Sequence, residues 1–380
     1  MASVEQLEAR FRSLLPGAVD LLHAMVRLES HSFDKPGVDA FAEFLAREFR
    51  RRGAQVDIVP EARRGNLLRA RWQSGAPRKV VMLLGHLDTV WPRGTIEVRP
   101  FRIEQGKAYG PGIFDMKSGI LVALMICQAF GEGNLDPEKD VVFFFTPDEE
   151  IGTEAGLPHL QAEAAGCQAV LCLEPSLPGG KVKTFRKGVG GFRVRVEGIA
   201  AHAGVDHEKG ANAIAELARL IVRLQEMTDY GRGITVNAGK VAGGTAANVV
   251  PAAAEAEVDF RVSTAADAEW LEGRVRALAP TDPRCVLRIE GGLNRPPLER
   301  TPAVVALYEA ARGIGRRLGM ELGEGSTGGG SDGSFTAAMG IPTLDGLGVE
   351  GDGAHAVNEH IVVDDIPRRA ALLGELIRIL

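Results

Sequence analysis

In three places the chain stays apolar over the length of a buried strand and then stops on side chains that favour metals. Val80-Val81-Met82-Leu83-Leu84-Gly85 leads into His86 and Asp88, and Val141-Val142-Phe143-Phe144-Phe145 leads into Asp148, Glu149 and Glu150. Ala169-Val170-Leu171-Cys172-Leu173 leads into Glu174. Continuous runs of this kind, rich in Val, Leu and Phe, read as strands buried on both faces of a parallel sheet. Such a sheet binds ligands beyond the carboxyl ends of its strands, which is where one imidazole and several carboxylates collect here.

Around these strands the pattern alternates with helices. Helical spacing is evident over 4–29, where Pro16 is expected to split or kink the helix, over 36–52 and over Ser118–Phe130. From Gly188 the texture changes to strands with one wet face, beginning with Phe192-Arg193-Val194-Arg195-Val196-Glu197. Strand, helix, strand, strand, helix, strand is the ferredoxin-like order. The expected fold is therefore α/β, a mixed, mostly parallel sheet flanked by helices, with an inserted ferredoxin-like α+β domain. The expected boundaries are 1–187 and 296–380 for the first domain and 188–295 for the insert.

A chain of 380 residues is more than one ordinary core holds, which agrees with two domains. A net charge of −6 gives no electrostatic reason to expect nucleic acid or an anionic membrane as a partner. No uninterrupted apolar run approaches about 18 residues, so no membrane span is expected. The N-terminus carries acids where a signal peptide would be basic and then apolar, so the expected location is cytoplasmic. The four cysteines lack metal-like spacing and read as free buried thiols.

Two further segments complete the chemistry. Asp115 lies in Tyr109-Gly110-Pro111-Gly112-Ile113-Phe114-Asp115-Met116-Lys117, and His355 in Gly353-Ala354-His355-Ala356-Val357-Asn358-Glu359. Taken singly, Asp115 is also a natural helix cap and Glu149-Glu150 a solvated loop. Together, His86, Asp115, Glu150, Glu174 and His355 form a mixed nitrogen and oxygen set without thiolate, which suits Zn²⁺ and also Mn²⁺ or Co²⁺. Glu149 and Glu150 are adjacent, and in an extended segment they would point apart.

These motifs resemble, in order and over essentially the whole chain, the zinc-dependent peptidases and deacylases that include glutamate carboxypeptidase, acetylornithine deacetylase and succinyl-diaminopimelate desuccinylase. The neighbourhood of His86 through Pro92 is most similar to the glutamate carboxypeptidase group. The resemblance implies two Zn²⁺ per chain, bridged by Asp115, with His86 and Glu174 on one ion and Glu150 and His355 on the other. It implies Glu149 as general base and Asp88 as the carboxylate that orients His86. In the insert it implies His202 as a histidine acting across a homodimer on the developing oxyanion, and Asn248 and Arg261 as the pair that grips substrate. The implied activity is hydrolysis of an amide bond next to a free carboxylate, in a small peptide or an N-acyl amino acid. Glutamate-carboxypeptidase-like release of a C-terminal amino acid comes first and N-acyl amino acid deacylation second. A metal-containing binding protein without catalysis stands behind both.

Overall fold

A computed structural model describes residues 3–75 and 80–380; Met1 and Ala2, which open the acidic N-terminal stretch, lie outside them. The chain forms two compact units. One comprises Met1–Phe185, Arg300–Ser326 and Ser331–Leu380, and the other Arg186–Glu299 with Thr327–Gly330.

The first unit is built on a six-stranded sheet. Its order is Gln55–Val59, Leu67–Trp72, Asp140–Thr146, Val80–His86, Ala169–Cys172 and Thr343–Leu344. Leu67–Trp72 runs antiparallel to both of its neighbours, and the last four strands run parallel to one another. The three apolar runs are its adjacent central strands, buried on both faces, because helices cover each side. His86 pairs in register with Thr146, and Leu84 with Cys172, so the three strands finish level and deliver their polar ends to one edge.

Val4–Arg27 is one helix rather than two. Pro16 does not end it, because Leu7 and Phe11 before the proline and Leu22 and Met25 after it are buried in the same core. The helix Ser118–Gly131 is apolar on all sides and packed in that core. Together with the preceding turn it gives a helical run, Ile113–Gly131, long and apolar enough to cross a membrane by length and composition alone. Asp115 and Lys117 interrupt its apolar character in sequence, and 89% of its most apolar window is buried inside the protein. A small second sheet of Arg102–Glu104, Lys107–Tyr109, His360–Val362 and Gly351–Asp352 was not apparent in the sequence; its strands have two or three residues, too few to show a period.

The second unit is a four-stranded antiparallel sheet in the order Thr235–Gly243, Ala253–Val262, Gly188–Glu197 and Val286–Arg295, the ferredoxin-like arrangement. Helices Ala213–Gln225 and Ala265–Arg276 cover one face over Phe192, Val194, Val196, Val258 and Phe260. The other face carries charged ladders such as Arg195–Glu255 and Arg288–Glu197. The last strand runs beyond Glu290 through Gly291 and Gly292, whose lack of side chains ended the apparent strand early in the sequence.

Candidate metal centre

Beyond the level strand ends, Asp115 stands between two imidazoles. Its Oδ1 lies 3.3 Å from His86 Nε2 and its Oδ2 3.3 Å from His355 Nε2. Glu174 Oε1 lies 3.6 Å from His86 Nε2, and Glu150 Oε2 lies 3.1 Å from His355 Nε2. One carboxylate with an oxygen toward each histidine, and a further carboxylate beside each, is the geometry of a bridged pair of cation sites. Ligand atoms of His86, Glu149 and Glu174 lie within 4.8 Å of one another, as do those of His86, Asp115 and Glu150.

The segment Glu149–Ile151 is a single 3₁₀ turn rather than extended chain. The two glutamates still face different neighbours, because the turn is clamped from behind. Asp88, fully buried, accepts from the Glu149 N–H on Oδ1 at 3.0 Å and from the Glu150 N–H on Oδ2 at 3.2 Å, and Ser32 Oγ donates to the same Oδ2 at 2.6 Å. Asp88 holds His86 through both its backbone and its carboxylate. His86 Nδ1 is 2.9 Å from the Asp88 backbone carbonyl and 3.4 Å from the Asp88 carboxylate. With Nδ1 donating to that carbonyl, Nε2 is the nitrogen turned toward Asp115 and Glu174. Asp148 accepts from the Ala155 and Gly156 N–H groups, and Asp332 accepts from the hydroxyls of Thr146 and Thr153, so the strand end on both sides of the glutamate pair is fixed.

Electrostatics agree with cation binding. Burial disfavours charge on His86, but Asp115, Asp88 and Glu149 outweigh it and hold the imidazole well above its ordinary pKa. Hydrogen bonds to Asp115 and Glu150 push His355 up to about 10. Burial, with Asp115 nearby, pushes Glu150 up to about 7 against the pull of His355. The site thus favours positive charge at both imidazoles, which divalent cations would supply. Among the described residues, Glu150 Oε1 is buried with no hydrogen-bond partner, a donor atom fitted for a metal and otherwise costly. The donors are nitrogen and oxygen only, a set that suits Zn²⁺, Mn²⁺ or Co²⁺.

Asp115 itself depends on a residue that sequence reasoning quoted but gave no role. Glu359, 1% exposed, accepts from Gly112 N–H at 2.9 Å, Phe114 N–H at 2.9 Å, Asp115 N–H at 3.1 Å and Trp91 Nε1–H at 2.7 Å. Nothing in a one-dimensional pattern marks a carboxylate whose donors are mostly backbone. Lys117 is also buried, with Nζ donating to the Leu28 carbonyl at 2.7 Å, and burial pushes its pKa down to about 7.

In the second unit, the loops of His202 and Asn248 are neighbours. His202 and Val249 pair as an isolated bridge, and Ala203 N–H donates to the Asn248 carbonyl at 3.0 Å. Both side chains are exposed, and His202 Nδ1 accepts from Gly204 N–H at 3.1 Å. Arg261 donates to Asp259 at 3.1 and 3.0 Å and to the Gly328 carbonyl at 3.2 Å.

Residues 82–379 match the family described as peptidase family M20/M25/M40. Carboxypeptidase G2 of Pseudomonas sp. (strain RS-16) is 30% identical over 374 residues, covering 95% of this chain and 89% of that protein. Succinyl-diaminopimelate desuccinylase of Dechloromonas aromatica (strain RCB) is 30% identical over 323 residues, covering 80% of this chain and 84% of that protein. Among solved structures, the YXEP protein of Bacillus subtilis, described as a dinuclear metal-binding peptidase of the M20 family, superposes with a TM-score of 0.69 at 16% identity, covering 97% and 98% of the two chains.

Proposed function

The chain belongs to peptidase family M20/M25/M40, and from that premise we propose that it is a two-metal hydrolase cleaving an amide bond next to a free carboxylate. The observation that carries the reading is Asp115, with one oxygen toward each of His86 and His355. His86, Asp115 and Glu174 would hold one ion and Glu150, Asp115 and His355 the other, with zinc first and manganese or cobalt as substitutes. Two such ions, when bound, polarise the scissile carbonyl and lower the pKa of water.

Glu149 is the general base. It stands in the cluster with His86 and Glu174, and its backbone is clamped by Asp88, so its carboxylate can take a proton from the attacking water and hand it to the leaving amine. Asp88 fixes the turn of Glu149 and Glu150 through its carboxylate and the His86 tautomer through its carbonyl. Arg261 and Asn248 grip the substrate, Arg261 by a two-pronged contact with the carboxylate. Its present partner Asp259 is half exposed, so that ion pair is weak enough to exchange for a substrate. His202 steadies the developing oxyanion across a homodimer formed through the second unit.

Carboxypeptidase-like release of a C-terminal amino acid is favoured by the likeness to carboxypeptidase G2 over 95% of the chain. The second reading, N-acyl amino acid deacylation, is favoured by the desuccinylase at the same 30% identity. Zinc-loaded protein assayed on glutamyl peptides, N-acetyl amino acids and N-succinyl amino acids separates the two. Turnover confined to peptides supports the first, turnover confined to acyl amino acids replaces it with the second, and none across the panel removes both.

A further inference from the structure

We propose that Glu359 is a positioning residue that sets the spacing of the two histidines across Asp115, by gathering on one carboxylate the loops that follow His86, precede Asp115 and follow His355. The inference rests on the two-metal reading above. All four donors are neutral N–H groups, two on each oxygen: Phe114 and Asp115 on Oε1, Gly112 and Trp91 on Oε2. Among the described residues no lysine or arginine forms an ion pair with it. Its charge is felt by Arg99 and Lys117, but what joins the loops to it is the set of four N–H bonds, for which a carboxylate, presenting acceptors only, is suited.

Each contact acts on a segment that has little else to define it. Gly112 has φ +69°, and inside the irregular helical turn that follows Asp115 has φ −116°, ψ 93°, so the backbone departs from helix at the ligand itself. The Asp115 N–H bond to Glu359 fixes the direction from which that residue presents its two oxygens. His355 is half exposed, with φ +62°, a conformation disfavoured for a side-chain-bearing residue. Its loop closes through Ala356 N–H to the Gly353 carbonyl at 2.8 Å and Glu359 N–H to the Ala356 carbonyl at 3.1 Å. Arg99 donates to the same Ala356 carbonyl at 3.3 Å while lying 4.0 Å over the Trp91 ring, whose N–H is bound to Glu359. Backbone N–H groups and the indole thus meet on one carboxylate, and the guanidinium links that indole to the loop of His355.

Glu359→Gln is the informative change, being isosteric. An amide offers one acceptor oxygen and turns an NH₂ toward two N–H donors, so about two of the four bonds are lost. Zinc titrated calorimetrically into metal-stripped full-length protein should show two equivalents for the unsubstituted chain. The variant should keep the affinity of one ion within about threefold and weaken the other, held by His355, by roughly 10–100-fold. The metal-stripped variant should also melt lower, by a few degrees for the lost bonds; a merely structural carboxylate would give that loss without the selective weakening of one ion. Two equivalents bound by the variant with unchanged affinities overturn the inference. Fewer than two bound by the unsubstituted chain overturn the two-metal reading instead. Should Glu359→Gln not fold, Trp91→Phe removes a single donor: a loss of about threefold or more at one ion supports the inference, and an unchanged titration overturns it.

Discussion

Two acids side by side at positions 149 and 150 are given different work by what lies behind them. Asp88 holds both backbone N–H groups, which leaves the side chains free to turn toward different imidazoles. Replacement Glu149→Gln should keep both metal equivalents by elemental analysis while lowering kcat by about 10²–10⁴-fold, the usual contribution of a positioned base; loss of metal together with activity would make Glu149 a ligand. Asp88→Asn should weaken metal retention or turnover by roughly 10–100-fold, read by dialysis against chelator, because its amide cannot accept from Ser32 and both glutamate N–H groups at once. His86, Glu150 and Glu174 stand out in the sequence as candidates because they follow apolar strands, and Asp115 and His355 because they sit in short glycine-bearing loops. Glu359 and the carbonyl of Asp88 do not, since their roles are defined by backbone donors and acceptors that every residue possesses.

Between elements, the site is kept in place by close approach. Gly119, in the first turn of the Ser118–Gly131 helix, would put a Cβ 2.2 Å from the Leu173 carbonyl, next to Glu174. Gly119→Ala should therefore cost about 1–3 kcal/mol in denaturant melts and displace Glu174, lowering metal affinity with it. In the second unit, buried Glu216 on the Ala213–Gln225 helix accepts from Thr281 N–H at 2.6 Å, Asp282 N–H at 3.2 Å and Arg219 at 2.9 Å. Burial alone would raise its pKa, but these donors outweigh it and hold the carboxyl below its ordinary value. A depressed folded pKa contributes stability that is present above the unfolded value and lost as pH falls through the folded one. Glu216→Gln should thus destabilise by about 1–3 kcal/mol at neutral pH, with the deficit shrinking in acid melts; a deficit independent of pH would refute it. The elements that were legible, such as Asp140–Thr146 and Gly188–Glu197, show burial as a run or an alternation. The two- and three-residue strands around Tyr109 and His360 exist only because distant segments meet.

The two units have separate hydrophobic cores: the first unit one on each face of its sheet, around Phe143, Ile120 and Leu372 and around Leu84, Phe144 and Val170, and the second unit its own around Val194, Leu220 and Phe260. Calorimetry should accordingly resolve two transitions rather than one. Chelation should lower the transition of the first unit alone, by about 4 kcal/mol in stability for each ion present at a thousandfold over its dissociation constant, about 8 kcal/mol for the pair. Equal shifts of both transitions would contradict the placement of both ions in one unit. That unit is also discontinuous, interrupted by residues 186–299 and closed by Asp365–Ile379, whose helix packs on Val4–Arg27. During synthesis the strands ending in His86, Thr146 and Cys172 leave the ribosome well before His355, by roughly 10–30 s. The inserted unit is contiguous apart from four residues and can fold in that interval. The nascent acidic edge therefore waits without its last histidine, and hydrolytic competence is withheld from the growing chain until the segment carrying His355 has emerged and docked.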